Sequence, residues 1–404
     1  MSLNAYELLI IFCVLVICSY LFNIVSRSLR IPSVLLLLGL GMLLKWISTE
    51  MNYETPNMRG VLEIFGIIGL ILIVLEGALD LKLAKENLRT IRDSLSIAVV
   101  LIFASMLSIA AVMHFWLEAP FYESLVNALP LAVVSSAIAI PSVEQLSKQK
   151  KQFITYESTF SDILGIMVFD FMVNSQSVSV SGMFVFSGKL LLIVVLSIVC
   201  SVALVYLINK IESHVKFFLL LSVLILIYSL SKTLHLSPLL LILVFGLLLN
   251  NVEQIVHFDF VRFINPRKFN HELFSLKLIT QESAFLIRTF FFALFGFSIN
   301  ISELLNLQVI MVGSTIVVIL ITMRYMALRF ITHTNLFPEM LIAPRGLITI
   351  LLFYSIPAQM MLPQFTQGIV LYVIIVSSLL MTIGLLLSKN EEQDNLIDKI
   401  EESL

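Results

Sequence analysis

Three acids share one apolar stretch, Tyr156–Asn174 (YESTFSDILGIMVFDFMVN): Glu157, Asp162 and Asp170. A carboxylate in hydrocarbon is costly, and it is kept where it faces a bundle interior, a partner or an ion path. Glu157 and Asp162 lie about 140° apart around a helix, so they need not serve one partner. Asp162 is the deeper acid and the better cation ligand, because Ser158 is four residues back on its face and Ser161 is beside it, both offering hydroxyl oxygens. Such a group can hold a monovalent cation or a proton. Glu157 also fits the wet end of a helix, and Asp170 fits an ion pair or water at the opposite surface.

Two other stretches break their own helical pattern. Leu131–Pro141 (LAVVSSAIAIP) places Ser135 and Ser136 ahead of a proline, and Leu341–Ile350 (LIAPRGLITI) places Pro344, Arg345 and Gly346 in the middle of an apolar run. Proline removes a helix hydrogen bond, so these are the places to expect unwound backbone, whose freed carbonyls and helix ends an ion or a charged side chain can satisfy. Ser135 and Ser136 are equally able to bond within a packed helix. Arg345 keeps its charge at any relevant pH and needs a carboxylate or several carbonyls around it. Arg324 can snorkel from the end of its span. Arg288 and Glu282 are expected to pair with each other or with neighbouring helices, and Asp80 with Lys82 and Lys85 reads as a wet helix end. Neither a nucleophile–base pair nor a metal cluster can be assembled, so enzyme activity is not expected. The absence of a Gly-rich phosphate loop argues against ATP-driven transport, and no cofactor is expected.

The elements that must hold these groups are membrane helices. Of the 404 residues, 59% are hydrophobic and 13% charged, and the mean hydropathy is +1.02, which excludes an ordinary soluble domain. A net charge of -2 offers no basic surface for nucleic acid. About thirteen apolar stretches recur from end to end, so the expected class is an all-α polytopic membrane protein. With the amino terminus outside, one side collects most cationic residues, while the other receives only Lys45, Arg59, Lys189 and Lys232. That bias places the carboxyl terminus in the cytoplasm and supports the odd span number. The segment Val252–Asn270, with Phe258, Phe260 and Phe263 among mixed charges, suggests an interfacial helix.

The chain also resembles itself. Leu29–Ser33 and the apolar run to Gly41 are echoed by Leu234–Pro238 and the run to Gly246, and Leu75–Leu79 (LEGAL) has a fainter echo in Leu294–Ser298 (LFGFS). Both matches pair a span with the seventh after it. The odd offset makes the copies enter from opposite sides, so residues 1–174 (spans 1–6) and 214–388 (spans 8–13) are expected to be inverted repeats. Residues 185–209 link them, and 389–404 form a short cytoplasmic tail.

At Glu157-Ser158-x-x-Ser161-Asp162, at Ala343-Pro344-Arg345-Gly346 and at Leu75–Asp80 the sequence resembles the monovalent cation/proton antiporter superfamily, over essentially its full length. The resemblance is to the sodium/proton exchanger branch, with features of the potassium-efflux/proton-antiport branch: Ser161 stands where the sodium exchangers have asparagine, and Ser135-Ser136 where they usually show Thr-Asp-Pro. It implies two crossed discontinuous helices beside the ion-binding aspartate, and a homodimer in a cell membrane, an inner membrane, serving pH homeostasis. Carried over by position, Asp162 is the residue that alternately holds a cation and protons, with Ser161, Ser158, Ser135 and Ser136 around it. Glu157 would hold a basic residue of span 11, here Arg324, in a structural ion pair, and Arg345 is the arginine of the second broken helix. The implied activity is exchange of Na+ or Li+ against H+ by alternating access, electroneutral because the neighbour of Asp162 is Ser161 and not a second acid. A potassium/proton antiporter or potassium-efflux subunit, and a transporter-like sensor without turnover, are the competing readings.

Overall fold

The computed structural model describes residues 5–29, 31–50, 59–81, 87–143, 146–175, 188, 191–193, 195–200, 217–233, 238–251, 266–299, 301–331 and 337–401. Within them every regular element is an α-helix. Hydrocarbon offers no partner to a backbone N–H or C=O, and a helix satisfies both within one segment.

In chain order the helices are α1 (Ala5–Leu29), α2 (Ser33–Glu50), α3 (Arg59–Asp80), α4 (Leu88–Trp116), α5 (Phe121–Ala132), α6 (Ser136–Ser142), α7 (Lys148–Ser175), α8 (Phe217–Thr233), α9 (Pro238–Asn250), α10 (Pro266–Ser298), the single turn α11 (Ile301–Leu304), α12 (Leu307–Ile331), α13 (Leu347–Tyr354) and α14 (Gln367–Glu401). Among the described residues seven helical segments, including Leu88–Trp116, Leu307–Ile331 and Gln367–Ser388, are long and apolar enough to cross a membrane. The protein is therefore an all-α, multi-pass membrane protein. A short apolar helix at Leu191–Cys200 falls in the expected linking span, and most of the rest of 185–209 lies outside the described residues, as does most of the expected interfacial helix. Its end, Pro266–Asn270, belongs to α10, and the acidic tail continues α14 as far as Glu401.

Packing sorts the helices into two groups. Helix α10 runs along α2 and α3, α3 also packs on α9, and α1 and α8 lean on this group; α4 packs on α5, α7 and α12, and α12 on α14. Lipid tails are as apolar as leucine, so close van der Waals contact and small residues hold such helices together. Gly41 of α2 faces the backbone of Ala293 and Phe297 on α10, and Gly246 of α9 faces Ala78 and Leu75 on α3. A methyl group at either position would meet those atoms, so glycine is what lets the pairs approach. The groups meet where α7 and α13 touch α3 and where α7 touches α9.

Candidate ion-binding site

Between the two groups, α5 stops at Ala132 and α6 begins at Ser136, with Val133 and Ser135 extended between them (φ -74°, ψ 130° and φ -84°, ψ 116°). Opposite them, residues 342–346 are non-helical ahead of α13. A helix interruption strands backbone donors and acceptors, and leaving such groups unpaired in a buried place is costly. Here several of the partners are identifiable. The Val134 N–H donates to Ser161 Oγ at 2.9 Å, Ser136 N–H to Asp162 Oδ2 at 3.2 Å, and Ser135 N–H to the Pro344 carbonyl at 2.9 Å. On the acceptor side, Arg345 Nε donates to Leu131 O at 2.8 Å and Nη2 to Ala132 O at 3.5 Å. Arg345 also donates from Nη1 to Ala343 O, and its N–H is held by Ser377 Oγ at 3.1 Å. A carboxylate thus stands at the start of α6 and a guanidinium at the end of α5, each opposite the helix end whose partial charge it complements.

The α7 side chains supplying this site form a polar run in the protein interior: Glu157, Ser158, Thr159, Ser161 and Asp162 are all buried. Asp162 uses Oδ2 on the Ser136 amide, while its Oδ1 and the nearby Ser135 hydroxyl have no hydrogen-bond partner among the described residues. Asp162 borders a narrow cleft between α7, α3 and α9, whose other walls include Ser136, Thr159, Gly77, Ile166 and Leu240. A buried carboxylate with an uncommitted oxygen, a neighbouring hydroxyl and a helix start behind it can take up one cation or one proton.

Ser135, Ser136, Ser161 and Asp162 are brought together, whereas Ser158 turns back into its own helix and donates to Ile154 O at 2.7 Å and Thr155 O at 3.3 Å. Arg324 does not snorkel. It is 1% exposed and forks onto Glu157, with Nη2 to Oε2 at 2.9 Å and Nη1 to Oε1, while Nε donates to Glu339 O at 2.7 Å. Arg288 pairs with Glu76 at 3.3 Å, Glu282 accepts from Tyr20 at 2.9 Å, and Asp80 pairs with Lys277 at 3.3 Å; Lys82 and Lys85 lie outside the described residues. Three contributors escaped the sequence reading. Ser377 could have been flagged as part of a Ser-Ser pair in an apolar run. Glu339 and Lys150, 3.6 Å apart beside the buried Arg324, carried no local signal.

The transmembrane sodium/hydrogen exchanger family matches residues 12–389 of the chain. No curated protein sequence matches it. Among solved structures it is similar to the sodium proton antiporter MjNhaP1 from Methanocaldococcus jannaschii at pH 8, with 18% identity, a TM-score of 0.67 and coverage of 93% of this chain and 94% of that one. An electron-microscopy map of the same antiporter gives 19% identity, a TM-score of 0.67 and 96% coverage of both chains. With an interrupted-helix crossing beside a buried aspartate and a family match over nearly its whole length, the chain belongs to the sodium/hydrogen exchanger family and is a secondary transporter that exchanges a monovalent cation for protons.

Proposed function

We propose that Asp162 is the group that carries the cargo, that Na+ or Li+ is the preferred cation, and that exchange is one for one. The observation carrying this reading is the buried Asp162 carboxylate held at the start of α6 by the Ser136 amide, with an Oδ1 that has no hydrogen-bond partner among the described residues. Either a dehydrated cation or a proton satisfies that oxygen, but not both together. Cation downhill flow then drives protons uphill, or the reverse, provided the cleft opens to one side at a time. Ser161 and Ser136 hold the interrupted backbone and the carboxylate in place, and Glu157 with Arg324 fixes α7 against α12.

The same proposal includes thirteen spans in two inverted repeats, with the amino terminus outside and the carboxyl terminus in the cytoplasm, assembled as a homodimer. The packing supports the repeat. Gly41 and Gly246 occupy equivalent places in the first sequence echo, and Phe297 and Ala78 in the second. Gly41 rests on Phe297 as Gly246 rests on Ala78, so one contact recurs with its partners exchanged, as two copies related by a twofold axis require.

The test is proton flux in vesicles of purified protein as each chloride salt is added. Sodium and lithium should dissipate a preformed proton gradient, and Asp162→Asn, which keeps the volume but cannot exchange a proton, should abolish the response while leaving a folded protein. Near-normal flux in that variant would sink the assignment, and a response to potassium alone would reassign the cation.

A further inference from the structure

A second narrow cavity lies between α12, α14 and the segment 340–345 ahead of α13, and Arg324, Arg345 and Ser377 all line it. Both arginines are buried, and they stand within electrostatic range of each other. A guanidinium carries five N–H donors and no acceptor. Arg324 commits three of them, to Glu339 O and the two Glu157 oxygens, and Arg345 commits three, to Leu131 O, Ala343 O and Ala132 O. One N–H on each terminal nitrogen of both side chains is therefore left without an acceptor among the described residues. Ser377 does not supply it, because its hydroxyl already accepts from the Arg345 N–H and donates to Ile374 O at 3.2 Å. The other walls, among them Val317, Leu320 and Ala343, are apolar. The charges are unequal as well: two guanidiniums share one carboxylate, Glu157, while Glu339 pairs with Lys150.

From this arrangement we infer that the cavity is a binding site for a small inorganic anion, of the size of chloride or bromide. Buried charges are kept where they are paired, and a cavity with surplus cationic donors, apolar walls and no acceptor suits an anion. A water molecule could accept such bonds but would leave the excess charge in place. The space admits a body of about water size, which takes a halide and excludes phosphate or a lipid headgroup. Ile321, Met340 and Leu380 of the lining are partly exposed, so the cavity is not sealed. The bound anion joins α12 to the second interrupted segment through Arg324 and Arg345, independently of the cation proposed at Asp162.

The test follows thermal unfolding of the purified protein at constant Na+ and ionic strength, as gluconate is exchanged stepwise for chloride, bromide or phosphate, with anionic lipid added in a separate arm. A ligand bound only by the folded state raises the melting temperature along a saturating curve. Chloride and bromide should do so, and phosphate and lipid should not. Glu157→Gln removes the compensating carboxylate and should tighten halide binding about tenfold, as for a unit charge about 8 Å away at an effective dielectric of about 30. Leu380→Phe narrows the cavity, keeps both guanidiniums and should lose the halide response. Crystals soaked in bromide should show anomalous scattering from one ion between Arg324 and Arg345, a reading that requires no variant to fold. A melting temperature indifferent to halide, a response undiminished in Leu380→Phe, halide binding no tighter in Glu157→Gln, or a response to phosphate or lipid alone overturns the inference. So does a cavity without bromide. Flux surviving in Asp162→Asn would instead overturn the assignment of the carrier and leave this site untouched.

Discussion

The Ser135 amide donates to the Pro344 carbonyl at 2.9 Å, so the two interrupted helices are joined backbone to backbone within a few residues of Asp162. Substituting a side chain cannot cut that bond directly. It can only push the two chains apart.

Gly346→Ala is the substitution that pushes. A methyl group there would lie 2.6 Å from Ile138 Cδ1 and 2.8 Å from Ser135 Oγ. Relief means turning these buried side-chain ends aside within a packed crossing or shifting one interrupted helix from the other, at a cost of up to about 1–3 kcal/mol for overpacking. Thermal unfolding in detergent should show the loss and flux assays a matching fall in exchange, while Gly39→Ala, with open space around the new methyl group, should be silent in both. Identical behaviour of the two variants would mean that the crossing is looser than described.

Removing one partner of the buried Glu157–Arg324 pair strands the other's charge. Glu157→Gln should destabilise the protein by about 3–5 kcal/mol and change the apparent cation affinity little. The double variant with Arg324→Gln should recover part of that loss, a coupling that a double-mutant cycle on thermal stability reads directly. Strict additivity would argue that the fork contributes nothing.

Arg345 has carbonyls, not a carboxylate, as its close partners. In Arg345→Met those carbonyls lose a charged donor, at about 1–3 kcal/mol for each one left unsatisfied. Lysine retains the charge but lacks the planar fork, so Arg345→Lys should fall between wild type and Arg345→Met in melting temperature. A lysine variant as stable as wild type would show that charge alone suffices at this position.

Exchange is expected to move no net charge. Both Glu157 oxygens are taken by Arg324 and Glu76 is held by Arg288, which leaves Asp162 to balance one cation or one proton per cycle. In proteoliposomes clamped with potassium and valinomycin, the sodium and proton gradients at which flux reverses should not depend on voltage. A reversal point that moves as two protons per sodium require would bring a second carboxylate into the transport cycle.

The sequence made the membrane class and the chemistry of α7 legible, because acids in an apolar stretch need a reason and few reasons exist. It also located both helix interruptions to within a few residues. The break itself was harder to place: Pro141 was the obvious local cause, yet α6 runs through it and the chain unwinds at Val133–Ser135. What holds it open is Ser161, Asp162 and Pro344, all distant in sequence, so a local propensity argument had nothing to register. Ser158 stands apart from the other serines for a related reason. Its hydroxyl has a carbonyl four residues back within reach, and a serine inside a helix readily takes that bond.

The glycine contacts of α2 with α10 and of α9 with α3 bear on how the chain tolerates change. Gly296, whose added methyl would meet the Leu38 backbone, belongs with Gly41 and Gly246 in this respect. None of the three touches the carboxylate, yet none has room for a side chain. In a saturation mutagenesis library screened first for protein that reaches the membrane and then for salt tolerance, the three glycines should drop out at the first step and Asp162 only at the second. Folding and transport are therefore written in different residues of the same helices and can be separated by genetics alone.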